Sequence, residues 1–247
     1  RYVCAAEKSM FEHPALRAVI CNSNMVRAEI LRHFSIAEDK LHVIFNGVDL
    51  DHFHPQERLR LRDEARAWLG IAETDLLVLF AGSGFARKGL ATLLRALALA
   101  PDGGVRLAVA GADRSQRAFE RLAVSLGLGG RVTFLGGQDD MRRSYAAADA
   151  LALPTLYDPF PNVVLEAMAM GLPAIVSDQC GAAELITEAV NGWTCPPGER
   201  GRLAALLSQA RDPGLRARIG ASARARVESL GLQAMAAMLL ALYHRLA

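Results

Sequence analysis

Asp75-Leu-Leu-Val-Leu-Phe80, followed at once by Ala81-Gly-Ser-Gly-Phe-Ala-Arg-Lys-Gly89, is the stretch that decides the fold. The first part is a short, continuous apolar run, as expected of a strand covered on both faces. The second is a glycine-rich turn leading into a helical stretch over 88–99. The same rhythm repeats outward along the chain. Val105–Ala110, Arg131–Leu135, Ala150–Leu153 and Ala174–Ser177 read as further strands, with Gly192–Cys195 a shorter one. Helical stretches over 114–127, 139–148, 162–170 and 182–189 lie between them. Strand–helix alternation of this kind predicts an α/β fold with a parallel sheet. Right-handed crossovers make it a doubly wound, Rossmann-like layer flanked by helices.

The flanks differ. Ala18–Cys21 and Leu41–Phe45 read as strands around a helix over 24–34, and Asn46-Gly47 is a turn signal. Asp51–Pro55 reads as a loop and Glu57–Leu69 as a charged surface helix. The tail over 199–246 is almost wholly helical, with interruptions expected at Pro213-Gly214 and Gly231.

Composition narrows the classes. Of 247 residues, 52% are apolar and 22% charged, which excludes disorder and a small disulfide scaffold. The net charge of +2 gives no bulk reason to expect nucleic acid. Only Lys8, Lys40 and Lys88 are lysine, and the arginine excess reads mainly as a coding bias. Cys4, Cys21, Cys180 and Cys195 show no metal-ligand spacing and are expected as reduced, buried thiols of a cytosolic protein. No apolar run reaches the ~20 residues needed to span a bilayer. The chain opens at Arg1 without a signal-peptide pattern, which points to a fragment or a processed chain.

Two segments carry candidate chemistry. In the turn Gly82–Gly89, backbone amides at a helix entrance favour an anion. Gly82 and Gly84 start a G-x-G pattern, but Arg87 occupies the third glycine position of a dinucleotide fingerprint and also breaks a Walker loop. Arg87 and Lys88 there are either solvated surface charges or a pair awaiting a diphosphate, since two cations at a helix N-terminus are unfavourable without one. The second segment runs Leu153-Pro-Thr-Leu-Tyr-Asp-Pro-Phe-Pro-Asn-Val-Val-Leu-Glu-Ala-Met-Ala-Met-Gly171. Asn162 is the expected N-cap of a helix, and its first amides, near Asn162, Val163 and Val164, are open to an outside acceptor. Asp158 precedes the helix and Glu166 lies within it. Glu166 either pairs with an arginine or accepts hydrogen bonds from a polar ligand such as ribose. Both segments follow strand carboxyl ends, where open α/β sheets bind ligands. Cations, amides and two carboxylates in one crevice suit a sugar nucleotide.

Other residues are weaker. The six histidines fall in the first 54 residues or at His244, and none is expected beside the crevice. Asp139-Asp140 reads as a helix N-terminus, Glu184 and Glu188 as surface helix charges. Tyr157 either stacks on a base or packs.

From Asp158 to Pro173 the sequence resembles the retaining glycosyltransferases of the family-4 type, whose loop–helix has the form E-P-F-G-x-x-x-x-E-A-M-A-x-G-x-P. Asn46-Gly-Val-Asp49 resembles the N-G-V-D element of that family, Gly82–Gly89 its glycine loop, and Arg131–Gly136 its V-x-F-x-G strand. The Gly-Phe-Ala-Arg-Lys-Gly stretch looks closest to the lipopolysaccharide-core glucosyltransferases. The resemblance implies the C-terminal, donor-binding half of a GT-B fold. Residues 1–45 would be a remnant of, or crossing from, the N-terminal acceptor domain, 46–230 the nucleotide-sugar-binding domain, and 231–247 a C-terminal helix.

The implied activity is transfer of a hexose, with retention, from a nucleotide diphosphate sugar, in the first place UDP-sugar, to a glycan or lipid-linked acceptor. Arg87 and Lys88 would neutralise the leaving diphosphate and the amides of Asn162–Val164 its distal phosphate. Glu166 would hold the ribose hydroxyls and Asp158 those of the sugar. Phe160, Pro161, Gly82, Ser83 and Gly84 would line the donor, and the backbone at Leu135-Gly136 would meet the base. No cofactor and no metal are expected. Asp158 stands where the family has Glu, and Ser83 where many members have Arg. The fragment alone would be inactive; the full-length protein would be cytoplasmic, at the inner membrane face where its acceptor is lipid-linked. The alternatives are a nucleotide-sugar 2-epimerase of similar fold and a non-catalytic nucleotide-sugar-binding domain.

Overall fold

A computed structural model describes residues 2–100 and 104–247, with side chains from Ala5 onward. Arg1 and the side chain of Cys4 lie outside what is described. In chain order the elements are α1 (Tyr2–Phe11), β1 (Val19–Cys21), α2 (Asn24–His33), β2 (Leu41–Val43), α3 (Pro55–Leu69), β3 (Leu76–Ala81), α4 (Leu90–Leu99), β4 (Val105–Ala110), α5 (Gln116–Ser125), β5 (Val132–Gly136), α6 (Arg142–Ala147), β6 (Ala150–Leu153), α7 (Asn162–Ala169), β7 (Ala174–Ser177), β8 (Gly192–Cys195), α8 (Arg200–Gln209), α9 (Pro213–Val227) and α10 (Leu232–Leu246).

Six strands form one parallel sheet in the order β5-β4-β3-β6-β7-β8. Every residue of β3, β6 and β7 is buried, which explains their unbroken apolarity. The order reverses direction between β3 and β6. Crossovers to the left of β3 give way to crossovers to the right, so the loops after β3 and β6 leave neighbouring strands at the carboxyl edge, the switch point where open α/β sheets take ligands. These are the two segments singled out from the sequence.

Helix boundaries follow local chemistry. α3 is capped by His54, whose Nδ1 accepts from the Gln56 amide at 3.1 Å, and starts with Pro55. α4 buries Leu90, Leu93, Leu94 and Leu97, a 3.6-residue stripe, against the sheet. The tail breaks over 210–212, just before the expected Pro213-Gly214: Pro213 is the first residue of α9, and Asp212 caps it through the amides of Gly214 and Leu215. The expected helix over 182–189 shrinks to a 3-10 segment, Gly181–Leu185. Asn191 folds the chain back, accepting from the Thr187 amide at 2.7 Å and donating to the Leu185 carbonyl at 2.9 Å.

β1 and β2 form a separate parallel pair with its own apolar cluster around Cys21, Ile30 and Leu41. Among the ties that join it to the large sheet are the following. Val48 bridges to Gly231, with the Val48 amide donating to Leu230 O at 2.9 Å and the Leu232 amide to Val48 O at 3.1 Å. Asn46 Nδ2 donates to Asn162 Oδ1 at 2.7 Å. Glu184, expected as a plain surface charge, accepts from the Asn24 amide, Asn24 Nδ2 and the Met25 amide at 3.0, 2.7 and 2.8 Å. It thereby supplies the α2 N-terminus with a carboxylate from 160 residues away. Cys21, Cys180 and Cys195 are buried free thiols. Among the described residues no helix is long and apolar enough to cross a membrane.

Candidate functional site

The turn after β3 is held against the loop after β6 by a close backbone approach. Gly89 has φ +81°, and a Cβ there would lie 1.9 Å from Pro154 O. Next to this contact, the Leu156 amide and the Thr155 hydroxyl both donate to the Arg87 carbonyl, at 2.7 and 3.0 Å. Thr155 is fixed in turn by Ser177, whose hydroxyl donates to its carbonyl at 2.6 Å. Arg87 and Lys88 sit in the turn preceding α4, which begins only at Leu90, so they are not first-turn residues as the sequence implies. The positive φ of Gly89 ends the turn there.

This clamp brings the charged groups together. Lys88 Nζ donates to Asp158 Oδ2 at 2.9 Å, and Arg87 Nη1 to the same oxygen at 3.2 Å and to Tyr157 O at 2.7 Å. Lys88 and Asp158 are both buried, whereas the Arg87 side chain is 49% exposed. The Lys88 stem lies across Gly82, where a Cβ would meet its Cε at 2.7 Å. Asp158 is pinned through its backbone as well: its amide donates to Gln179 O at 3.1 Å, and the Gly181 amide to Asp158 O at 2.9 Å.

The glycine turn offers an anion less than the sequence implies. The Phe85 amide donates to Asp113 Oδ2 at 2.8 Å, and the Gly84 amide also acts on that carboxylate. The hydroxyl and amide of Ser115, then the Phe85 and Gly84 amides, hold Asp113 below the usual carboxylate range. The loop after β4 therefore fills the cradle with its own carboxylate. Ser83, at the tip of the turn, is exposed, as is the Arg87 side chain.

At α7 the cap is Pro161, not Asn162, because Pro161 keeps an extended ψ of 118°. Asn162 is the first helical residue, and its side chain turns to Asn46, whose Nδ2 also reaches Phe160 O at 3.4 Å. The Val164 amide is satisfied by Pro161 O at 3.1 Å, so it is not open. The amides of Asn162 and Val163 have no acceptor among the described residues and remain available. Phe160 is buried and stacks on Phe45 at 5.4 Å, so it shapes the loop rather than facing a ligand.

Glu166 accepts from Tyr145 Oη at 2.7 Å and pairs with no arginine among the described residues. Burial pushes its carboxyl up, with Tyr145 and His52 acting against that shift. Tyr145, fully buried, has its phenol raised by burial and then by Glu166. The histidine expectation is corrected here. The loop holding His52 folds back onto α6 and α7, with Phe53 edge-on to Tyr145 at 5.9 Å, and this leaves His52 Nε2 at 3.9 Å from Asp140 and close enough to act on Glu166. Tyr157 packs between the two sheets, its hydroxyl donating to Glu29 at 2.6 Å.

At the end of β5 the Leu135 and Gly136 carbonyls already accept, from Gln138 Nε2 at 2.9 Å and the Gly111 amide at 2.7 Å, leaving one lone pair each. Asp113, Tyr145, His52 and Asn46 are the site residues that the sequence reading missed as such. Only Asn46 had a visible signal, in the Asn-Gly turn.

Residues 62–226 match the family model Glycosyl transferases group 1, and residues 1–52 match Glycosyltransferase Family 4. The lipopolysaccharide glucosyltransferase WaaG of Escherichia coli is 31% identical over 192 residues, 76% of this chain and 51% of WaaG. The structure of sucrose-phosphate synthase from Thermosynechococcus elongatus superposes with a TM-score of 0.87 at 31% identity, covering 98% of this chain and 61% of that one. HepE of Anabaena, solved with UDP and glucose, gives a TM-score of 0.84 at 27% identity, over 93% of this chain and 63% of HepE. The chain spans about half the length of the curated relatives it matches. With a family model spanning most of its length and a parallel sheet shared with GT-B enzymes, the chain belongs to the group 1 glycosyl transferases and has the fold of a GT-B C-terminal domain.

Proposed function

We infer that this chain supplies the donor half of an enzyme that moves a hexose, with retention, from a UDP-sugar to a glycan or lipid-linked acceptor. The observation that carries the reading is the meeting of Arg87, Lys88 and Asp158 at the carboxyl-end crevice, one loop away from the free amides of Asn162 and Val163. When the anomeric carbon–oxygen bond breaks, negative charge develops on the leaving diphosphate. Fixed cations and amide dipoles aimed at that charge lower the barrier without reorganising. In this reading Arg87 and Lys88 face the diphosphate, and the two amides face its distal phosphate. Glu166, held in orientation by Tyr145, accepts from the ribose hydroxyls. Asp158 aligns the cations and offers its second oxygen to the sugar. The base lies along Leu135-Gly136, with Gly82 and Ser83 beneath the phosphates. No metal is required for this charge balance.

Residues 1–45 would belong to the acceptor-binding domain, with the crossing at Asn46–Asp49; the separate match of 1–52 and the distinct apolar cluster support this. A chain without the rest of that domain would bind donor but not transfer. The full-length enzyme would work in the cytoplasm, at the inner membrane face where its acceptor is lipid-linked.

The test is to titrate this chain with UDP by calorimetry in the presence of a chelator, then incubate the full-length protein with UDP-glucose and a glycan acceptor. Metal-independent binding and an α-linked glucosylated product are expected. A free 2-epimer of the sugar, or donor binding without any transfer by the full-length protein, would refute the assignment.

A further inference from the structure

The amino-terminal rim of the large sheet, at the opposite end from the donor crevice, carries an excess of positive charge. Arg58, Arg62 and Arg66 recur at four-residue spacing and so share one face of α3. They converge on Asp149, which stands just before β6. Arg62 Nη2 donates to Asp149 Oδ1 at 2.7 Å, Arg66 Nη1 to Oδ2 at 3.0 Å, and the Leu77 amide to Oδ2 at 2.8 Å. Both carboxylate oxygens are thus engaged.

Arg58 and Arg216 are left over. Arg58 donates to Ala148 O at 3.0 Å and Arg216, on α9, to Ala210 O at 2.5 Å. Among the described residues neither has a carboxylate within ion-pair distance. Asp149 and, more weakly, Asp212 act on Arg216 from beyond ion-pair distance, the Asp212 carboxylate being turned to cap α9. The carbonyls at the end of α6 account for part of the charge on α3, since a helix C-terminus favours cations. Arg216 meets the same kind of partner at the end of α8, whose C-cap is Ala210, so each of these carbonyls offsets its guanidinium with a partial charge only. The crowding is felt at Arg58, where burial and then Arg62 pull the guanidinium down to about 10, and whose Nε is buried without a partner.

A cavity of about 210 Å³ opens against these groups, lined by Arg58, Arg62, Asp149, Pro213, Arg216 and Ala217. At ~30 Å³ per water it has room for a tetrahedral oxyanion and several waters. We propose that this cavity binds a phosphate-sized oxyanion between Arg58 and Arg216, separately from the donor crevice. The anion bridges α3 and α9 beside the start of β6. It supplies the negative charge that four guanidiniums around one carboxylate lack.

Thermal unfolding of the whole chain in inorganic phosphate, against chloride at equal ionic strength, tests this. Phosphate at about 100 times its Kd should raise the midpoint by roughly 5–10 °C, and chloride should not. The increment should survive in Lys88→Met, which removes a donor-crevice cation. Arg216→Gln should weaken phosphate at least about tenfold, one charged hydrogen bond's worth. Ala217→Glu removes no native contact and sets a carboxylate on the cavity wall; it should abolish the increment. Equal effects of chloride and phosphate would overturn the proposal. So would an increment that disappears in Lys88→Met, or one that persists in Ala217→Glu.

Discussion

Replacing Lys88 by Met keeps the apolar stem across Gly82 and removes the ammonium group, with its charge and its hydrogen bond to Asp158. Asp158 is then a buried carboxylate whose remaining ion-pair partner among the described residues is Arg87, at 3.2 Å and half in solvent. Removing one partner of a buried ion pair costs about 3–5 kcal/mol. Because Arg87 stays, the expected loss lies below that range, at about 2–3 kcal/mol. The converse change, Asp158→Asn, strands an ammonium for which no other ion pair is present among the described residues. That places its cost within the range, at about 3–4 kcal/mol. The double variant leaves no buried unpaired charge, only the half-exposed Arg87, so its loss should fall short of the sum by about 2 kcal/mol. Urea unfolding of the four proteins, followed by the fluorescence of Trp68 and Trp193, measures each value. The same set, titrated with UDP, should show Lys88→Met weakening the nucleotide by about 1.5–3 kcal/mol, or roughly 10- to 150-fold. Single losses that add within about 0.5 kcal/mol would refute the reasoning, because they would mean that the 2.9 Å contact carries no coupling.

Glu166→Gln should weaken UDP by about 1.5 kcal/mol or more while leaving inorganic pyrophosphate unaffected, since pyrophosphate has no ribose; calorimetry giving equal losses would contradict a ribose role. Burial raises the Glu166 carboxyl above its ordinary 4.5, so the folded chain holds that proton more tightly than the unfolded chain does. Its stabilising contribution is therefore present below that value and lost as pH rises through the folded one. Urea titrations should find Glu166→Gln better placed against the parent at about pH 7 than at about pH 4, and a constant difference would exclude this linkage. Glu184→Ala should release the Asn24 and Met25 amides, costing about 1–2 kcal/mol locally. Hydrogen exchange at those two amides should accelerate by about tenfold or more, and unchanged protection would show that the capping contacts carry no weight.

The large sheet was legible because its strands are buried on both faces, so Leu76–Ala81 and Ala150–Leu153 stand out as apolar runs with turns at fixed spacing. The two crevice segments were legible for the same reason, since each follows such a run. What the sequence hid depends on contacts between distant residues. Nothing near Phe85 shows that Asp113 will take its amide, and nothing near Asn24 shows that a carboxylate 160 positions away will cap its helix. Asn162 has the chemistry of a cap, yet the extended ψ of Pro161 moves the cap one residue earlier and frees the asparagine for Asn46. The arginine excess, read as a coding bias, includes a row on α3 that grips the end of α6 and the carboxylate beneath it. Charge at four-residue spacing looks like a solvated face until the opposing surface is known.

The chain passes between its small and large sheets at Val48 and returns toward the small one at Gly231, and the two passages are bonded to each other. A joint where two passages bond to each other serves as a pin, an axis about which the halves would turn once the surrounding contacts let go. The next contacts outward, Glu184 on α2 and Asn46 on Asn162, sit off that axis and act as latches. Opening the joint would then cost a handful of hydrogen bonds and the Phe45–Phe160 stack, with the strands of either half left in place.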